Sequence, residues 1–195
     1  MYTVKTPYEK EVKELEESCK KLNLECKAYP IKNLKNWVKN TQQKGNVCLK
    51  ALEEFDCDIV WLDADAVVFQ YPILFDELNK RNDFNICIHK HDPRWKKRPT
   101  GEMLSGTIYF KNNNTTKDMI KKWIDRNKEV VEWDQYTLQD VIENNKQFKT
   151  IQLPVEYVKI RPKSIENIFN MFKSNKNLFI GHKQRSRKYK RIIGK

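Results

Sequence analysis

No hydrophobic run in the sequence approaches the roughly 20 residues needed to span a bilayer, and no apolar signal core follows the first residue. Neither a membrane span nor a secretory leader is expected. CxxC pairs are missing too: Cys19, Cys26, Cys48, Cys57 and Cys87 are odd in number and scattered. That indicates neither a disulfide framework nor a zinc site and points to reduced, mostly core-facing thiols. Glycine is scarce, with five in 195 residues, and a third of the residues are charged, which argues against a glycine-rich β-sandwich. There is no internal repeat and no linker-like stretch. These absences predict one soluble, cytoplasmic domain over residues 1–195, long enough to bury a sizeable core.

What the sequence has in excess is positive charge. A formal charge of +12 predicts attraction to polyanions, whether nucleic acid, acidic membrane surfaces or acidic glycans. A solvated lysine-rich surface explains the same number equally well.

Helical and strand patterns alternate along the chain, which predicts an α/β fold. Val12, Leu15, Cys19 and Leu22 fall at helical spacing within 8–23; a short strand is expected over Leu24–Ile31 and a second helix over Asn36–Phe55, weakened in its middle by Gly45. DIVWLDADAVVF (58–69) reads as a buried strand leading into two aspartates. A helical piece (73–78) and the strand FNICIH precede a polar, basic stretch over 89–102, the best candidate for a mobile loop. The strand MLSGTIYF (103–110) is followed by a helix with Met119, Ile120, Trp123 and Ile124 inward, and another helix begins near Asp134. A strand near 150–153, a variable segment, the strand NLFIGH (177–182) and a basic tail from about 183 close the chain.

The chemistry centres on Asp63 and Asp65. A lone DxD triplet is weak evidence among 26 acidic residues, but this one follows a strand too apolar to be exposed. Open α/β sheets place ligands at the carboxyl ends of their strands. Two carboxylates there need a compensating cation, and oxygen ligands suit Mg²⁺ or Mn²⁺. A metal at that place could neutralise the charge that develops on a departing diphosphate.

Six segments in order, YTVKTPYEKEV, the helix Trp37 to Lys44, DIVWLDADAVVFQYPILFDEL, LSGTIYFKNN, WDQYTLQDVI and GHKQRSRKYK, make the sequence resemble the nucleotide-diphospho-sugar transferases of the GT-A glycosyltransferase fold. The resemblance implies a single GT-A-like, Rossmann-like domain with a mixed central sheet flanked by helices. It implies a metal-dependent enzyme that moves a sugar from a nucleoside-diphosphate sugar, a UDP-sugar foremost, to a hydroxyl acceptor. By the same resemblance Tyr2 and Thr3 contact the nucleoside, Asp63 approaches ribose or metal, Asp65 binds metal and His182 completes its shell. Ser105 and Gly106 let the backbone approach the donor sugar, where a glycine suits close contact. Asp134 and Gln135 lie beside donor sugar and acceptor. Lys44 could face a phosphate, and with His182 at the metal, Lys183 and Arg185 fall near the diphosphate, where the tail could close as a lid.

The sequence departs from the family pattern twice. The apolar first strand before the YT pair is nearly absent, and Lys44 is followed by Gly45 where the family shows proline. Each residue also has a plainer reading: Asp134 as a helix N-cap, His182 as a core histidine, His89 and His91 as structural or loop residues, and Trp133 as packing or as a surface for a sugar ring. Two rival functions use the same features, a nucleic-acid-binding module and a metal-dependent nuclease built on Asp63, Asp65 and Asp134. A hybrid is a transferase whose acceptor is anionic, a glycan or a hydroxylated base in DNA.

Overall fold

The computed structural model describes residues 1–92, 100–160 and 177–193. The middle of the expected loop (93–99), much of the variable segment (161–176) and residues 194–195 lie outside the described residues.

A two-residue strand β1 (Tyr2–Thr3) leads into helix α1 (Tyr8–Lys20), which forms where Val12, Leu15 and Cys19 recur on one buried face. Glu9 and Glu11 stand in its first turn and Lys20 in its last, each favourable to the helix dipole. Strand β2 (Pro30–Ile31) pairs in parallel with β1 and is shorter than the strand expected over 24–31. The helix expected over 36–55 is two helices, α2 (Trp37–Gln42), capped by the Asn36 side chain, and α3 (Lys44–Phe55).

Strands β3 (Ile59–Leu62) and β4 (Ala66–Val68) replace the single strand expected over 58–69. The physical reason is a change of partner. β3 pairs with β6 (Glu102–Phe110), whereas β4 pairs with β9 (Ile180–His182), so Asp63 to Asp65 form the turn by which the chain leaves one sheet for another. That turn is closed by Ala66 N–H donating to the Asp63 carbonyl at 2.9 Å.

After α4 (Leu74–Asn79), β5 (Ile86–His91) completes the antiparallel run with β6, and β7 (Thr150–Gln152) adds in parallel to β5. The order β3, β6, β5, β7 is a mixed sheet. Its side chains alternate between two cores, as strand geometry dictates. Ile86, Ile88, Ile108 and Phe110 pack with Leu52 of α3, Trp123 of α5 (Asn114–Glu129) and Leu138 of α6 (Asp134–Glu143). Cys87 and Tyr109 point the other way, to Leu15 of α1 and Phe75 and Leu78 of α4. Helices therefore flank a central mixed sheet. Gly45 earns a role here: a Cβ on it would lie 2.9 Å from Ile124 Cγ1, so glycine lets α3 approach α5.

In the smaller sheet β9 lies between β4 and β8 (Lys159–Ile160). The basic tail forms a helix, α7 (Ser186–Ile193), with Tyr189 and Ile193 buried. Among the described residues no helix is long and apolar enough to cross a membrane.

Candidate active site

Beyond the end of β3 opens a cleft of about 520 Å³. Its walls hold Tyr2 and Thr3 from β1, Lys44 from α3, and Asp63 and Asp65 from the turn. Ser105 and Gly106 of β6, Asp134 and Gln135 of α6, and His182 of β9 complete them. The topology thus brings together residues from six separate stretches of chain.

Lys44 is the hub of one half. Its side chain is buried, with 4% of the residue exposed, and its ammonium lies 3.0 Å from Asp63 Oδ1 and 2.8 Å from Asp134 Oδ2. It also donates to the Ser105 carbonyl and hydroxyl, each at 3.0 Å. Burial works against this charge, but Asp134 and Asp63 outweigh it and hold the Lys44 pKa above its ordinary value. Ser105 Oγ donates to Asp134 Oδ2 at 3.1 Å, and Trp61 Nε1 donates to Asp63 Oδ1 at 2.9 Å. Asp134 is not an N-cap. Trp133 holds that position with extended backbone, and the Asp134 carboxylate turns from the helix amides to Lys44 and Ser105.

Asp65 and His182 form the other half. They come from the end of the turn and from β9, and Ala66 and His182 are register partners in the sheet. His182 Nδ1 lies 3.8 Å from Asp65 Oδ1, and His182 Nε2 is hydrogen-bonded to the Thr107 hydroxyl at 2.8 Å. Gly106 makes room for the imidazole, since a Cβ there would meet it at 3.0 Å. The Arg185 backbone N–H donates to Asp65 Oδ2 at 2.7 Å. Burial pushes the Asp65 carboxyl up, but the His182, Arg185 N–H and Lys183 contacts outweigh it and its pKa lies below the ordinary value.

Among the described residues no three His, Cys, Asp or Glu side chains are grouped to hold a metal between them. The donor chemistry nevertheless fits a hard cation. One buried, ionised carboxylate and one imidazole stand side by side, and Mg²⁺-type sites draw the rest of their shell from substrate phosphates and water. The Thr107 hydroxyl on the far nitrogen fixes the orientation of the imidazole, the service that a hydrogen-bond partner gives a metal-ligating histidine.

Lys183 and Arg185 do not bring their side chains to the cleft wall. Lys183 Nζ pairs with Glu11 at 2.7 Å and with Glu14, and Arg185 Nε donates to Glu11 at 2.9 Å. Tyr189 Oη donates to the same buried carboxylate at 2.8 Å, so Glu11 clasps the segment before α7 and α7 itself to α1. His89 and His91 serve structure: His89 Nδ1 is hydrogen-bonded to the Leu153 carbonyl, and the two rings meet edge to face.

Sequence reasoning missed Trp61, Thr107, Glu11 and Glu102. Trp61 and Thr107 sit on strands next to motif residues, and that proximity was the available signal. Glu102 accepts from Gln135 Nε2 at 2.6 Å and from Tyr136 Oη at 3.1 Å. Trp133 stacks on Tyr136, with centroids 5.6 Å apart and planes 4° from parallel, and Lys190 Nζ lies 5.2 Å from the Trp133 centroid.

Residues 13–186 match the nucleotide-diphospho-sugar transferase family. No curated protein matches by sequence. Among solved structures, a glycosyltransferase involved in the glycosylation of the major capsid of PBCV-1 superposes with a TM-score of 0.66 at 16% identity, over 98% of this chain and 95% of that one. The glycosyltransferase GlyE of Streptococcus pneumoniae TIGR4 in its apo form gives 0.57 at 14% identity, over 93% of this chain and 52% of GlyE. These likenesses show a shared fold, and this chain spans about half of GlyE.

Proposed function

We infer that this chain, which belongs to the nucleotide-diphospho-sugar transferase family and is a nucleotide-sugar-dependent glycosyltransferase, works in the cleft beyond β3 with Mn²⁺ or Mg²⁺ held by Asp65 and His182. Asp63, at the mouth of the same turn with 40% of its side chain exposed, joins them as a ligand or meets the ribose. The observation that carries the reading is the pairing of Asp65 with His182, brought from distant parts of the sequence to 3.8 Å with the carboxylate kept ionised. When bound, the cation neutralises charge on the departing diphosphate.

The chain's own residues then divide the work. Tyr2 and Thr3 contact the nucleoside, a UDP-sugar being the favoured donor, and Ser105 and Gly106 admit the donor sugar close to the backbone. Asp134, fixed by Lys44 and Ser105, presents its carboxylate to the sugar's developing positive charge. Gln135 orients the acceptor. Lys183 and Arg185 act through position, because their backbone amides donate to Asp65 while their side chains anchor the segment to α1.

Calorimetric titration with UDP and GDP, with and without Mn²⁺, tests this. Asp65→Asn keeps an acceptor for the Arg185 amide but removes the charge, so the fold should persist while metal-dependent nucleotide affinity drops by more than about tenfold. Unchanged affinity in Asp65→Asn and in His182→Gln overturns the assignment.

A further inference from the structure

We infer that the Trp133–Tyr136 pair is the acceptor subsite of this cleft and that it receives the ring of a pyranose carrying free hydroxyls, as in a glycan or glycoside. The inference rests on the donor reading above.

Four observations converge on it. Trp133 directly precedes Asp134 and is 43% exposed on the cleft wall, so a large aromatic face adjoins the residue whose carboxylate is fixed by Lys44. The face is rigidly presented, because Tyr136 stacks almost parallel to it. An indole offers the C–H edges of a pyranose a flat apolar surface, while an aromatic ring keeps a negative face that also attracts cations. Lys190 stands 5.2 Å from the ring centroid on α7, where a solvent-exposed cation–π contact is weak enough for a ligand to displace.

The polar groups at the edge of the shelf decide the class of ligand. Glu102 accepts from both Gln135 and Tyr136, so the shelf is bordered by a carboxylate, an amide and a phenol. Sugar hydroxyls can donate to the first and both donate to and accept from the others. A phosphodiester strand would meet that carboxylate unfavourably, and it needs a track of cations. Among the described residues lining the cleft the lysines are Lys44 and Lys190, and Lys44 is held by two carboxylates. The stacking surface alone would also suit a nucleobase; among the described residues the charges around it do not suit the backbone that carries one.

Saturation-transfer NMR tests the subsite with a panel of methyl hexopyranosides and, separately, a single-stranded oligothymidylate, each added to the full chain with Mn²⁺ and UDP. Calorimetry on the same samples reports UDP binding. The expected result is saturation of pyranoside ring protons with the native chain. In Trp133→Ala, apparent affinity should fall about tenfold, the size expected for one lost stacking contact. Trp133→Phe should restore much of it, and UDP affinity should stay the same in all three. Nucleotide binding without pyranoside contact in the native chain overturns the acceptor inference and leaves the donor reading standing. So does pyranoside contact that survives Trp133→Ala, or Trp133-dependent binding of the oligonucleotide alone. Failure to bind any nucleoside diphosphate removes the donor reading instead.

Discussion

Lys44 shows how one residue can govern a site without being its reactive group. Asp63 and Asp134 both lean on its ammonium, so deleting it leaves carboxylates facing one another with their compensation gone. Breaking a buried pair in this way costs about 3–5 kcal/mol. Lys44→Met should therefore lose stability on that scale in urea denaturation, and adding Asp134→Asn should restore part of it, a coupling that a double-mutant cycle measures. The pH dependence follows from the direction of the shift. Lys44 titrates above 10.5 in the fold, so its contribution is complete below that pH and is lost only as pH climbs through the raised value. A second residue-scale test is Gly106→Ala, whose Cβ would press on the His182 ring at 3.0 Å. Overpacking of this kind costs about 1–3 kcal/mol. A lower melting temperature together with weaker Mn²⁺-dependent nucleotide binding is expected. At this scale Asp63, Asp65, Asp134 and His182 were legible, since each closes or opens a patterned element. Thr107 was not, because a single hydrogen bond to a side chain 75 residues away leaves no periodic trace, and Trp61 was not, because in sequence its indole reads only as one more apolar residue of the strand.

At the scale of elements, the decisive contact joins the first helix to the last. Burial pushes the Glu11 carboxyl up, but hydrogen bonds from Lys183 and Tyr189 and the charge of Arg185 outweigh it and hold its pKa below 4.5. Glu11 therefore contributes stability that is present above pH 4.5 and fades as the pH falls through the lowered value. Glu11→Gln should loosen residues 183–193 at neutral pH, at a cost of about 1–3 kcal/mol, and should blunt the acid-induced loosening of the native chain. Hydrogen exchange of that segment at several pH values checks both. Sequence patterning anticipated most helices and strands, yet it read 58–69 as one strand. Apolar residues flank the aspartates on both sides, and a change of sheet partner is invisible to local alternation. It read the end of the chain as a basic tail rather than a helix for a related reason: the density of Lys and Arg hides the spacing by which Tyr189 and Ile193 bury themselves.

For the molecule as a whole, the +12 charge and the cleft are separate properties. Among the described residues the cleft is lined by Asp63, Asp65, Glu102 and Asp134 against Lys44 and Lys190, so most of the described lysines and arginines lie away from it. Duplex DNA should be retained at low salt and released steeply as salt rises. UDP with Mn²⁺ should not displace it, which a competition measured by fluorescence anisotropy would show; displacement would mean that the polyanion enters the cleft. The α/β class was legible at this scale because alternating helix and strand patterns permit few layer arrangements. The separation of charge from cleft was not, since composition carries no address.

The position of β9 has a temporal consequence. Among the described residues it is the central strand of its sheet, and β4 and β8 are joined only through it. Contacts between residues 66–68 and 180–182 close a long loop, the kind of step that comes late in folding. During synthesis the first aspartate and its lysine can settle as soon as β6 pairs with β3. His182 emerges from the ribosome long afterwards and arrives together with the strand that finishes the sheet. With His182 as the proposed metal partner of Asp65, a nascent chain would stay inactive until β9 has emerged and paired with β4, which ties the onset of activity to the synthesis of that strand.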